Sequence, residues 1–322
     1  METGMSGSAA RSSLVPAECA PCAIHHPQGV TNMKPLPSPT RAAPALLLGL
    51  ALLFSAPAQA QNYQITGNVN TVASLFSPGP REDQQHAADF NWYDRPEARV
   101  LQSLDQFSQV SNGGFGRATL SAGMGELRAF AHAAYPSGIP EPHYYGYSFG
   151  TAQASFADTV RVQGAGLAVG TPVRYELSLW IDGQLSSPNF EIGGALSANG
   201  LAQMQLIDRS TNLRESLSWD AKRDATGWYR IGLNTVVGHE LMITGMLYAG
   251  ADISSSATLA REVVADFGHT ARYYLQTSEP GLNTTGMSGH DFNISAVPEP
   301  GSGLLLGAGL LTLLGWLQRR RH

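Results

Sequence analysis

The side chains that could carry chemistry in this chain are few and scattered. His239 and Glu240 are adjacent, but with His86, His132, His143, His269 and His290 they make neither a His-Glu-x-x-His nor a His-x-His spacing, the patterns that set two imidazoles on one metal. They read as turn and surface histidines, and neither a metal nor a cofactor is expected. Asp208 with Glu215, or Glu176 with Asp182, could serve as acid and base only where folding brings them into range. No nucleophile elbow is read, and Gly164 and Gly166 lack the strand-to-helix setting of a phosphate loop. Asp182, Asn189 and Glu191 offer oxygens to Ca²⁺ without a regular ligand spacing. Aromatic clusters are the best clue. Tyr144, Tyr145, Tyr147 and Phe149 follow Pro142, while Trp92 with Tyr93 and Trp228 with Tyr229 add further flat faces. Such rings stack on the apolar C–H faces of sugars, or alternate members bury in a core.

Strands must position these residues. Charged residues are only 14 % of the 322, and 35 are glycine, which suits a turn-rich exported β domain better than a helical enzyme. Val173, Tyr175, Leu177, Leu179 and Ile181 alternate with polar residues or Trp180, so one face of a strand is apolar, and Asp182 and Gly183 close it in a turn. Similar runs predict strands over residues 62–73, 127–131, 152–162, 200–208, 216–219, 228–235, 241–249, 257–267 and 270–276. Residues 77–98 read as loop, and Val100, Leu101, Leu104 and Phe107 have the spacing of a short helix. Nine to eleven strands predict a mainly β, antiparallel β-sandwich over residues 61–296, with a jelly-roll connection left open and residues 77–118 suited to a crossing between sheets.

Both ends stand apart from this domain. Residues 1–32 are Ser, Ala and Pro rich and read as an extension ahead of a second start at Met33. Residues 33–60 read as a signal peptide: Lys34 and Arg41, an apolar run, then Ala58, Gln59 and Ala60 as the cleavage site, with the mature chain starting at Gln61. Both cysteines, Cys19 and Cys22, lie upstream of that site, so the mature domain has no thiol or disulfide chemistry. Residues 61–298 hold 14 basic against 22 acidic side chains, a net charge of −8 with one lysine, Lys222, which argues against nucleic acid as a partner.

The last twenty-six residues carry a three-part pattern: Val297, Pro298, Glu299 and Pro300, an apolar run over 303–317, and Arg319, Arg320 and Arg321. The prolines keep the first part extended, as a protease cleft requires. The apolar run has the composition of a transmembrane helix, and the arginines would stay on its cytoplasmic side. In this order, at a C-terminus, the parts resemble the PEP-CTERM sorting signal of Gram-negative envelope proteins. Ala265 to Ala271 and Ser288 to Phe292 are similar to the closing strands of such proteins. The resemblance implies an exported chain that uses signal peptidase and the Sec translocon. It implies transient inner-membrane anchoring, processing by an exosortase, and delivery to the cell surface or extracellular matrix.

Three functions follow as expectations. The first is a non-enzymatic surface or matrix protein associated with exopolysaccharide. The second is a lectin-like carbohydrate-binding module using Tyr144, Tyr145 and Tyr147, and the third a polysaccharide-active enzyme on the sandwich scaffold.

Overall fold

A computed structural model describes residues 62–76, 81–111, 113–135, 145–186, 195–255 and 261–293, all in the compact unit Ala58–His322. Alternation of apolar and polar residues gives thirteen strands among the described residues. These are β1 (Tyr63–Phe76), β2 (Glu82–Tyr93), β3 (Gln102–Gln109), β4 (Phe115–Gly123), β5 (Glu126–Tyr135), β6 (Tyr145–Arg161) and β7 (Pro172–Ile181). After them come β8 (Gln184–Ser186), β9 (Ala195–Asp208), β10 (Leu213–Asp220), β11 (Gly227–Val236), β12 (Glu240–Ser255) and β13 (Arg261–Thr277). One antiparallel sheet runs β10-β9-β12-β6-β1-β2. The other runs β11-β7-β13-β5-β4-β3, with β8 added to β13. Their inner faces share one core, so the expected sandwich is present.

The sandwich tapers. At one end the sheets meet through Ala118, Ala131, Ala133, Ala152, Ala154, Ala249 and Ala251, all buried. There a Cβ on Gly116 would lie 2.1 Å from the Phe149 carbonyl oxygen, and one on Gly150 would lie 2.2 Å from that of Arg117. Backbone faces backbone, and only glycine fits. Toward β10, in the rows of Ala154 and Ala249, Trp219 and Phe267 meet edge to face in a wider space, and at the other end Phe156, Tyr273 and Phe292 fill it in edge-to-face and stacked contacts.

A closing strap, residues 282–293, follows β13. Its Met287 amide donates to the Thr159 carbonyl, and the Leu275 amide donates to the Phe292 carbonyl. Phe292 is buried against Phe156, and the Ser288 hydroxyl donates to the buried Asp158 carboxylate.

Three expectations need correction. The predicted loop at 77–98 contains β2, which pairs along β1 from Gln64↔Tyr93 to Leu75↔Glu82; it is an edge strand, so its largely polar surface hid it. The predicted helix around Leu104 is β3, whose apolar residues divide between two faces: Leu104 packs on the core while Phe107 meets Phe115 outside, centroids 5.5 Å apart. The predicted strands 257–267 and 270–276 are one strand, β13, broken in register between Phe267 and Ala271. The crossing between sheets does fall within residues 77–118, where the 3-10 turn Pro96–Arg99 leads from β2 to β3. No helix among the described residues is long and apolar enough to cross a membrane. The signal peptide and the sorting tail lie outside the described residues.

Candidate functional site

The outer face of the six-stranded sheet is a carpet of amides and hydroxyls. One register row crosses it as Ser218, Gln203, Met246, Ser155, Thr66 and Asn91. The next row brings Leu201, Tyr248, Gln153, Asn68 and Asp89 side by side. Because successive strand residues alternate faces, the same pattern that buries Ala202, Leu247 and Ala154 turns these polar neighbours outward.

Tyr248 is the centre of this face. Its cross-strand row is followed by Gly250, where a Cβ would lie 2.5 Å from the Tyr248 hydroxyl and 3.0 Å from Cζ. The missing side chain lets the half-buried ring lie down along β12, flanked by Asn199 and Thr151, the partners of Gly250. Asn70, paired with Thr151, has a buried Oδ1 with no partner among the described residues. One strand turn away, Tyr147 and Phe149 form a tilted pair with centroids 5.3 Å apart, and Phe149 is the register partner of Asp252.

Electrostatics keep this face neutral in its hydroxyls. Burial and then the Asp252 carboxylate push the Tyr147 hydroxyl far above its ordinary value, and the same two causes push Tyr248 up to about 12. Burial raises the Asp252 carboxyl, an effect opposed by the hydrogen bond from Tyr147. Flat rings and planar amides around Tyr248 suit a polyhydroxylated ligand: C–H faces stack on the rings and hydroxyls bond the amides. Tyr147, one of the expected stacking residues, is half-buried on this outer face. Tyr144 lies outside the described residues, and so does the side chain of Tyr145, whose backbone starts β6. Tyr248, Gly250 and the amide rows were missed; period-two alternation in 241–249 was the signal, because its polar half marks the outer face.

Elsewhere the sequence candidates disperse. Asp208 is 1 % exposed and accepts from His239 Nδ1 at 2.7 Å, from the Thr235 hydroxyl at 2.7 Å and from the amides of Ser210 and Thr211. Burial raises its carboxyl, yet these four donors win and hold it below the ordinary value. It ties β9 to β11 and to the turn before β12. Glu215 is exposed on β10, across from Leu206. Glu176 faces out of the second sheet, 3.5 Å from Arg230, about 20 Å along the chain from exposed Asp182. Neither pair forms an acid and base site.

His239 also borders a cleft of about 320 Å³ with Arg161, Gln163, Leu167, Val169 and Glu240. His132 packs edge-on to Phe115, His290 lies on Phe292, and His143 is outside the described residues. Among the described residues no three His, Cys, Asp or Glu side chains could hold a metal, while Asn189 and Glu191 lie outside them. One Gly-x-Ser-x-Gly string, Gly146 to Gly150, escaped the reading of the sequence. It runs straight through β6, and Ser148 is fully buried and bonded to the Ala134 carbonyl, so it forms no strand-to-helix elbow.

Tyr229 turns inward, its hydroxyl on the Ala225 carbonyl, and Trp92 packs against the core. Trp228 turns outward and meets Trp180 at 5.3 Å and Tyr274 at 5.5 Å between centroids.

Comparison with known proteins adds the following. Residues 296–321 match the model of the PEP-CTERM protein-sorting motif. No curated protein matches the chain. Among solved structures, TmCBM61 in complex with β-1,4-galactotriose aligns at 8% identity over 45% of this chain and 81% of its own, with a TM-score of 0.19. The enzymatically active domain of tailspike protein 4 from bacteriophage CBA120 aligns at 8% identity over 57% and 20%, with a TM-score of 0.17.

Proposed function

From a chain that carries the PEP-CTERM protein-sorting motif, and is therefore an exported protein processed by an exosortase, we propose a non-enzymatic polysaccharide-binding protein of the cell surface or extracellular matrix. The supporting observation is the Tyr248 ring laid over Gly250 among Asn199, Thr151, Gln153 and Asn70. A stacked pyranose ring gains apolar contact on Tyr248, and its hydroxyls reach the amides on either side. The wide, shallow sheet suits a chain of sugars rather than a single small molecule. Signal peptidase and the Sec translocon deliver the domain, and the exosortase releases it to the polysaccharide.

Affinity electrophoresis of the full chain in gels cast with the host's extracellular polysaccharide tests this reading. Tyr248→Ala is expected to weaken binding about tenfold, close to 1.4 kcal/mol. Raised salt is expected to change it little, since the contacts are neutral. Retardation by no polysaccharide, or equal retardation of the variant, would refute the assignment.

A further inference from the structure

The opposite face of the sandwich carries the aromatic cluster of Trp180, Trp228 and Tyr274. Trp180 is 37 % exposed and Trp228 48 %, unusual values for the two largest side chains of a sheet face. The rings tilt against each other at 53° and 45°, so they form a ridge and not a flat sugar platform. Arg272 is the register partner of Trp180, Arg230 lies two residues from Trp228, and Arg174 projects from the same face of β7. Glu126 is paired with Arg128 and Glu176 with Arg230, so Arg174, Arg230 and Arg272 stand against Glu176 and Asp182, an excess of one positive charge beside the rings. Within a domain of net charge −8 this is a basic aromatic patch.

Its place in the fold identifies an occupant. The Phe292 carbonyl is bonded to the Leu275 amide, next in sequence to Tyr274, so the chain leaves the sandwich beside the patch. From Asn293, ten residues lead to Gly303, where the apolar run begins. Ten residues reach at most about 35 Å, about twice the radius of gyration of about 18 Å expected for a domain of this size. Once the apolar run is in a bilayer, the exit side of the sandwich is therefore held within headgroup reach.

We propose that Trp180, Trp228 and Tyr274, with Arg174, Arg230 and Arg272, dock the sandwich onto an anionic phospholipid surface while the tail anchors it. Tryptophan and tyrosine settle at the headgroup level, and arginines attract anionic lipids. The tether supplies the high local concentration that lets a small patch suffice. This leaves the polysaccharide face turned away from the membrane. The docking rests on the tail acting as an anchor, but not on the polysaccharide reading.

The test uses the full chain reconstituted into vesicles of phosphatidylethanolamine and phosphatidylglycerol, with or without brominated acyl chains. The emission lost in Trp180→Phe/Trp228→Phe reports the patch, and Trp316 in the apolar run reports the tail. Brominated lipid is expected to quench both. Arg174→Gln/Arg230→Gln/Arg272→Gln, or removal of phosphatidylglycerol, should lower patch quenching severalfold and leave Trp316 quenched. Inserting twenty Gly and Ser residues after Asn293 should lower the docked to undocked ratio about fivefold, as effective concentration falls with the three-halves power of tether length. Quenching of Trp316 alone overturns the docking. Quenching of neither overturns the anchor as well. Patch emission that responds to protein concentration or soluble polysaccharide, and not to lipid, would assign the ridge to a second copy or to glycan instead.

Discussion

Asp158 and Asp208 are both buried carboxylates, yet their titrations move in opposite directions. Asp208 has four donors and sits low. Asp158 has the Ser288 hydroxyl and nearby amides, and burial still prevails, pushing its carboxyl up to about 6. A group raised in the fold from 3.8 to about 6 favours folding below the lower value, and that contribution disappears as pH rises through 6. A rise from 3.8 to about 6 corresponds to about 3 kcal/mol. Asp158→Asn is therefore expected to flatten the stability change between pH 4 and pH 7, measured by urea unfolding across that range. Asp208 contributes above its ordinary value and weakens as acid is added. Asp208→Ala strands Thr235, His239 and two amides, and about 3 kcal/mol should be lost at pH 7, seen as a lower urea midpoint.

At the scale of elements, the close approach of β4 and β6 makes the sharpest demand on sequence. Gly116→Val would drive a side chain into the Phe149 and Val72 carbonyls, so the variant is expected to lose several kcal/mol and to melt far below the parent in circular dichroism. Thr119→Val, on the outer side of the same strand, should melt within a few degrees of it. The two sheets were legible because β7 and β12 alternate in sequence: Val173, Tyr175, Leu177, Leu179 and Ile181 on one, and Leu241, Ile243, Leu247 and Ala249 on the other, all point into the core. β2 and β3 were not, because an edge strand has a neighbour on one side only and tolerates polar or mixed faces. The aromatic cluster drew attention to Tyr147 but not to the neighbours of Tyr248, since Asn70, Thr151, Gly250 and Asn199 come from four strands and meet only through register. Trp180 and Trp228, 48 residues apart in sequence, are direct partners for the same reason.

Across the whole molecule, the strap closes what the strands leave open. A chain ending after Asn293 keeps Phe292 in the core and Ser288 on Asp158, and is the control. A chain ending after Pro280 loses Phe292 from the core and leaves Asp158 without Ser288, and its melting temperature should fall by about 10 °C or more, followed by differential scanning calorimetry. The strap is also the last part of the sandwich to leave the ribosome. Because β1 pairs with β6, and β5 with β13, early segments wait for late ones, and the wide end of the core stays unsealed until Phe292 arrives. The sorting signal emerges only a few residues afterwards. Export thus acquires a built-in order: the folding of the cargo and the display of its address label are completed by consecutive residues, so a prematurely ended chain has neither a finished core nor a destination.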